Sequence, residues 1–210
     1  MIVFDVQGVL LADAIPKLLR ELTRRGVRWN EKAYTGWYHG EIESRLFMGE
    51  ISPKEFWQEM LDNQGIPLDE TQQWEDYFRE HTIPLLEEKD LSRWASKAEL
   101  AIVANGMPEW FTVPLRSIGV HKMVPLSRVI LSANYLSLLP DQEMFGILLD
   151  LMPHAPEAVV YVSAQADHGA AAEDFGWTWI YADPEGMWEW EIDDYLNLAG
   201  PDRDAGMELD

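Results

Sequence analysis

The first ten residues, "MIVFDVQGVL" (residues 1–10), decide the fold. A short apolar run, Met1 to Phe4, delivers Asp5 onto a glycine-containing turn, and a second apolar run begins at Val9. This is how a buried strand presents a reactive carboxylate at its tip. Chemistry launched from such a tip usually employs a second acid two residues on. Here that position is Gln7.

Working outward, four more apolar runs read as core strands: "ELAIVA" ending at Ala104, "SRVILSA" ending at Ala133, "AVVYVSA" ending at Ala164 and "WTWIYA" ending at Ala182. Their β-branched and aromatic content favours strand over helix. Between the later runs, Pro108 to Ile118, Asp141 to Met152 and Asp167 to Phe175 read as helices, the last stopped by Gly176. Strands alternating with helices predict right-handed crossovers, a mostly parallel sheet and function at the carboxyl ends of the strands.

The first two strands are separated by about ninety residues that read as successive helices. Ala12 to Arg25 carries Leu18, Leu19 and Leu22 on one face. Ser52-Pro53-Lys54-Glu55 is a capping box with proline at the first helical position, opening a helix to about Asn63, and Asp69 is placed to cap another through Glu80. The expected architecture is a Rossmann-like α/β core from residues 1–12 and 90–200, with an inserted α-helical cap over the strand tips at 13–89. Residues 201–210 form an acidic tail.

Composition sets the limits. The 210 residues are 47% hydrophobic and 25% charged, enough for a sizeable core without disulfides. With no cysteine, thiolate metal sites and cysteine nucleophiles are excluded. Sixteen basic against 37 acidic side chains give a net charge of −21, which repels nucleic-acid backbones and anionic membrane surfaces. No stretch approaches the roughly 18 apolar residues of a membrane span, and Asp5 interrupts what would otherwise resemble a signal peptide. A soluble, cytoplasmic protein is expected, with neither nucleic acid nor membrane as partner and with oligomerisation possible.

In a parallel sheet the four stretches "FDVQG", "VANG", "LLPD" and "VSAQAD" meet at one cleft. This set resembles the haloacid dehalogenase (HAD) superfamily, in particular its members with a helical cap inserted after the first strand. Those carry Asp-x-Asp-Gly-[Val/Thr] at the first strand, Ser/Thr-Asn-Gly at the second, Lys-Pro-Asp before the next helix and one or two acids at the fourth. The resemblance runs from Ile2 to about Ala182 and includes the cap stretch "GEISPKEFW" and the "FGW" after the last helix. Four stretches in the right order make it fairly specific.

The resemblance implies Asp5 as the nucleophile. The supporting groups depart from the family pattern. Gln7 has no titratable proton to give a leaving group, Ala104 replaces the hydroxyl that grips the transferred group, and Leu139 replaces the lysine. Ser163 and Ala164 stand where carboxylates complete a magnesium site, and Asp5 alone is a thin site for a hard cation. Two unit charges about 4 Å apart interact by about 4 kcal/mol at an effective dielectric near 20, so losing lysine and metal leaves Asp5 repelling a phosphate dianion. The superfamily's metal-independent dehalogenases resemble the chain at "NGMPE" and "VSAQADHGAAAEDFGW". They keep the lysine and an aspartate near position 168, where this chain has Leu139 and His168; His168 can serve as a base.

The expected function is therefore a HAD-like protein with a degenerate hydrolase site and no metal or other cofactor. It is either a non-catalytic binding protein or one repurposed for metal-independent chemistry, such as a lyase or cyclase step in a biosynthetic pathway. The ligand is an uncharged, partly apolar small molecule in the cleft between cap and core. The alternative is a HAD hydrolase, dehalogenase or phosphatase-like, using Asp5. The cleft is expected to comprise Asp5 with Gln7, Ala104, Asn105, Leu139, Ser163, Ala164 and His168. Asp167 reads as a helix cap before a metal ligand, and Asp193-Asp194 as a solvated charge run. Ten tryptophans is a high count, and Trp29, Trp37, Trp57 and Trp74 fall in the cap segment. They either pad its packing or line an aromatic pocket.

Overall fold

A computed structural model describes residues 1–26, 41–63, 65–151, 155 and 158–197. Each of the five apolar runs contributes a strand: β1 (Ile2–Phe4), β2 (Leu100–Ala104), β3 (Val129–Leu131), β4 (Val160–Ser163) and β5 (Thr178–Tyr181). All pair in parallel in the order β3-β2-β1-β4-β5, with Phe4 level with Ile102 on one side and Val162 on the other. This is an α/β Rossmann-like sheet. The chain runs outward from β1 through β2 to β3, then returns to place β4 against the other edge of β1. The switch in direction lies between β1 and β4, where open parallel sheets hold their ligands beyond the strand ends.

β1 is fully buried, as expected for the central strand of a parallel sheet covered on both faces. Phe4, Ile102 and Val162 point to one core, which continues into the helices between β1 and β2. Val3, Ala101, Val103 and Tyr161 point to the other, with Phe145, Leu148 and Trp177. The alternation that divides these residues also governs the strand tips: Asp5 follows Val3, and Ser163 follows Tyr161, on the same face.

Between β1 and β2 lie helices Ile15–Arg24, Glu43–Phe47, Pro53–Asn63, Thr71–His81 and Glu88–Ala95. The capping box forms as read: Glu55 accepts bonds from the Ser52 amide and hydroxyl at 2.8 Å each, and the Glu55 amide donates to Ser52 Oγ at 3.2 Å. Asp69 does not cap its helix. It sits within a 3₁₀ turn, Leu68–Glu70, so the α-helix begins at Thr71, beyond reach of an Asp69 cap.

Trp110, on the helix that follows β2, is ringed by Phe47, Phe56, Trp57 and Phe78 at centroid distances of 4.5–6.1 Å. This aromatic cluster joins three of the intervening helices to helix Pro108–Ser117. Trp57 is buried in that cluster and Trp74 is buried separately, against Tyr77 and under the Arg25 guanidinium, and neither lines the cleft described below; Trp29 and Trp37 lie outside the described residues. Among the described residues no helix is long and apolar enough to cross a membrane.

Asp193 departs from its reading as part of a solvated run. It is 1% exposed and accepts a 2.9 Å bond from Trp94 Nε1, with Arg93 Nη1 3.1 Å from its second oxygen. The Arg93 contact is an ion pair without hydrogen-bond alignment. It ties helix Glu189–Tyr195 to helix Glu88–Ala95.

Candidate functional site

The turn after β1 explains how Asp5 is presented. Its amide continues the ladder by donating to the Val162 carbonyl, and the Val6 carbonyl then accepts from the amides of Leu10 and Leu11, curling residues 6–11 into a compact loop. Gly8 adopts φ +79° there, and a Cβ on it would lie 2.9 Å from the Ala164 side chain. Glycine serves both needs: left-handed backbone and close approach to the end of β4.

Asp5 is 3% exposed, and every bond to its carboxylate is a donation. Oδ1 accepts from the Val6 amide at 2.7 Å; Oδ2 accepts from Ser163 Oγ at 2.9 Å and lies 2.9 Å from His168 Nδ1. The Ser163 oxygen in turn accepts the Gln165 amide at 3.0 Å, so its single hydrogen is committed to Asp5. A carboxylate oxygen already receiving a hydroxyl proton requires the imidazole nitrogen facing it to be a donor. The proton of neutral His168 is thereby assigned to Nδ1, which leaves Nε2 as the basic nitrogen.

His168 belongs to helix Ala166–Asp174, whose first turn places the ring over the tip of β1. Burial works against its charged form, but the bond to Asp5, reinforced by the negative charges of Asp5, Asp167 and Glu43, outweighs it and raises the imidazole pKa above its ordinary value. Asp167 lies inside the first turn and accepts the His168 amide at 3.0 Å; it is not the N-cap, which is Gln165.

A cavity of about 590 Å³ opens over this pair. Asp5, Gln7, Asn105, Leu139 and His168 line it, as expected of strand-tip residues. Ala104, Ser163 and Ala164 do not. Ala104 and Ser163 are fully buried, the Ser163 hydroxyl being bonded to Asp5, and Ala164 packs against the core. Asn105 spends its amide on Leu139: Nδ2 donates to the Leu139 carbonyl and Oδ1 accepts the Leu139 amide, which fixes that loop as a wall of the cleft.

Sequence reasoning missed two groups of lining residues. Asp13 and Glu43 make the cleft more acidic than the apolar floor expected from Ala104, Leu139 and Ala164. Ile15, Pro16, Leu19 and Phe47 make one wall apolar. Amphipathic spacing in 12–25 signalled an apolar face, but not which part of it meets the cleft.

A magnesium ion, implied by the phosphatase resemblance, does not fit the donors present. Asp5 Oδ2 is saturated by two hydrogen-bond donors, Gln7 and Ala164 supply no carboxylate, and the Ser163 hydroxyl is directed at Asp5. Among the described residues no group of three or more His, Asp or Glu side chains is arranged to hold a metal ion.

No family model matches the sequence. No curated protein matches it. Solved structures do match. A HAD-family enzyme from Bacteroides thetaiotaomicron aligns at TM-score 0.72 and 15% identity over 91% of this chain and 97% of its own. That enzyme has also been solved with magnesium and inorganic phosphate. A predicted HAD-like hydrolase from Porphyromonas gingivalis aligns at TM-score 0.72 and 19% identity, covering 94% and 98%. The L-2-haloacid dehalogenase of Xanthobacter autotrophicus, with chloropropionic acid covalently bound, aligns at TM-score 0.60 and 18% identity, covering 86% and 76%. At these identities the likeness establishes the fold.

Proposed function

Taking the HAD-like fold as premise, we propose that this protein performs metal-independent acid–base chemistry on an uncharged, partly apolar small molecule, with His168 as the proton-transferring group and Asp5 as its orienting partner. One observation carries the reading: Asp5 Oδ2 accepts from both Ser163 and His168, which turns the expected nucleophile into the anchor of a base. His168 lines the cavity, and its Nε2 takes a proton from a bound water or substrate and returns it to the leaving atom. Gln7, half-buried on the cavity wall, offers a neutral amide to orient a carbonyl or hydroxyl. The apolar wall of Ile15, Pro16, Leu19 and Phe47 receives the rest of the molecule. In this reading residues 13–89 act as the cap over the cleft.

Asp5 as a nucleophile is the second reading. It is favoured by Oδ1, which among the described residues accepts the Val6 amide alone, and by the fold shared with a dehalogenase holding a covalently bound ligand.

The two readings separate on three probes assayed with metal chelated: p-nitrophenyl butyrate, p-nitrophenyl phosphate and 2-chloropropionate. Acid–base chemistry predicts turnover of the neutral ester alone, at least tenfold slower in His168→Gln. Turnover of either anion, abolished by Asp5→Asn and indifferent to His168→Gln, contradicts it and supports the nucleophile.

A further inference from the structure

One wall of the cleft is carried by a short helix, Glu43–Phe47, from which Glu43, Ser44 and Phe47 line the cavity. That helix is tied to the sheet by a side chain that neither reading uses. Ser132 is fully buried in the 3₁₀ turn, Ser132–Asn134, that follows β3. Carbonyls in the last turn of a helix have no intrahelical partner, and the Phe47 carbonyl finds one in Ser132 Oγ, which donates to it at 2.6 Å. The same oxygen accepts the Gly106 amide at 2.9 Å. The Gly106 carbonyl, 3.4 Å away, is the weaker claim on the single hydroxyl hydrogen. Gly106 follows Asn105, which lines the cavity and clamps Leu139. One buried hydroxyl thus joins the wall helix to the Asn105–Leu139 wall. Gly49 completes the seat: its φ is +72°, and a Cβ on it would lie 2.7 Å from the Ala133 carbonyl oxygen, so only glycine lets residues 47–49 rest this close to the turn.

We infer that Ser132 is a positioning residue for substrate binding: in a seat shared with Gly49, its hydroxyl holds helix Glu43–Phe47 at a set distance from the Asn105–Leu139 wall and so sets the width of the cleft. The consequence for turnover rests on the acid–base reading above; the consequence for cleft width does not. Ser132 acts through Phe47 and Gly106, so its loss changes how the apolar part of a substrate is held and leaves the bond between Asp5 and His168 in place. Binding lost equally from substrate and transition state appears in KM and spares kcat.

The test takes two readouts on the full chain, for the parent, Ser132→Ala, Ser132→Thr and Gly49→Ala. The first is cleft width. The chain has no cysteine, so nitroxide labels on Glu50→Cys and Glu143→Cys, both exposed positions, report one distance by pulsed electron paramagnetic resonance. The second is steady-state hydrolysis of p-nitrophenyl butyrate. The parent and Ser132→Thr, which keeps the hydroxyl, give one narrow distance distribution. Ser132→Ala and Gly49→Ala broaden or shift it and raise KM several-fold with kcat nearly unchanged. A Ser132→Ala protein that melts earlier but keeps the parental distance distribution and KM shows packing alone, and overturns the inference while sparing the acid–base reading. A parent that leaves the ester intact overturns the acid–base reading, and the distance measurement then decides the inference by itself. If Ser132→Ala does not fold, Gly49→Ala disturbs the same seat from an exposed position, and an unmoved distance there overturns the inference.

Discussion

Asp5 Oδ2 and His168 Nδ1 stand 2.9 Å apart, joining the first strand of the sheet to a helix that begins 161 residues later, with the side chains 4% and 11% exposed. The carboxylate thus works as an acceptor fixed on three sides, and the ring above it is held in one orientation over the cleft. In this state the pair resembles the base and orienter of hydrolytic enzymes more than a free nucleophile awaiting an electrophile.

The pair makes stability depend on pH with a defined sign. The folded His168 pKa lies above its unfolded value, so the contribution is fully present below the ordinary histidine pKa and is lost as pH rises through the raised folded value. His168→Gln keeps a hydrogen-bond donor but cannot titrate. The stability gap between parent and His168→Gln, from thermal unfolding across pH, therefore narrows on going from acid to mildly alkaline conditions. A gap that widens with pH contradicts the assignment.

Magnesium and inorganic phosphate should leave the protein unchanged. A ligand that binds only the folded state stabilises it by RT ln(1 + [L]/Kd) and so raises the melting temperature with its concentration. With Asp5 Oδ2 saturated and Gln7, Ser163 and Ala164 offering no carboxylate, thermal unfolding with magnesium, with phosphate and with both is expected to match the ligand-free curve. A joint stabilisation lost in Asp5→Asn would restore the phosphatase reading.

Asp193 matters for stability rather than for chemistry. Asp193→Ala leaves the buried Trp94 indole N–H without its acceptor and takes away the nearer of the two acidic partners of Arg93, Asp90 remaining at 4.0 Å, a loss of about 1–3 kcal/mol, the cost of an unsatisfied buried donor. Denaturant unfolding measures it. A loss under about 1 kcal/mol, the range of exposed pairs, would mean that the pair is effectively at the surface.

The strands were legible because each is a short β-branched or aromatic run, and their parallel order followed from the helices between them. Strand-tip logic then brought Asp5, Gln7, Asn105, Leu139 and His168 to one cavity. Ala104, Ser163 and Ala164 lie off the cavity wall, Ser163 touching the site only through its bond to Asp5, because sequence order does not say which residues at a strand end the core covers. The bonding was hidden for another reason. Asp5 and Ser163 are 158 residues apart, Trp94 and Asp193 are 99, and no local pattern announces where such partners meet. Asp69 failed as a cap through one turn of 3₁₀ helix, a difference smaller than the precision of boundary signals.

The most direct measurement is the protonation state of the His168 imidazole itself, read from its ¹⁵Nδ1 and ¹⁵Nε2 chemical shifts across pH in the parent and in Asp5→Asn. The account predicts that Nδ1 stays protonated throughout, that Nε2 alone titrates, with a pKa above the ordinary histidine value, and that Asp5→Asn lowers that pKa. A neutral ring protonated at Nε2, or a titration indifferent to Asp5→Asn, would contradict it.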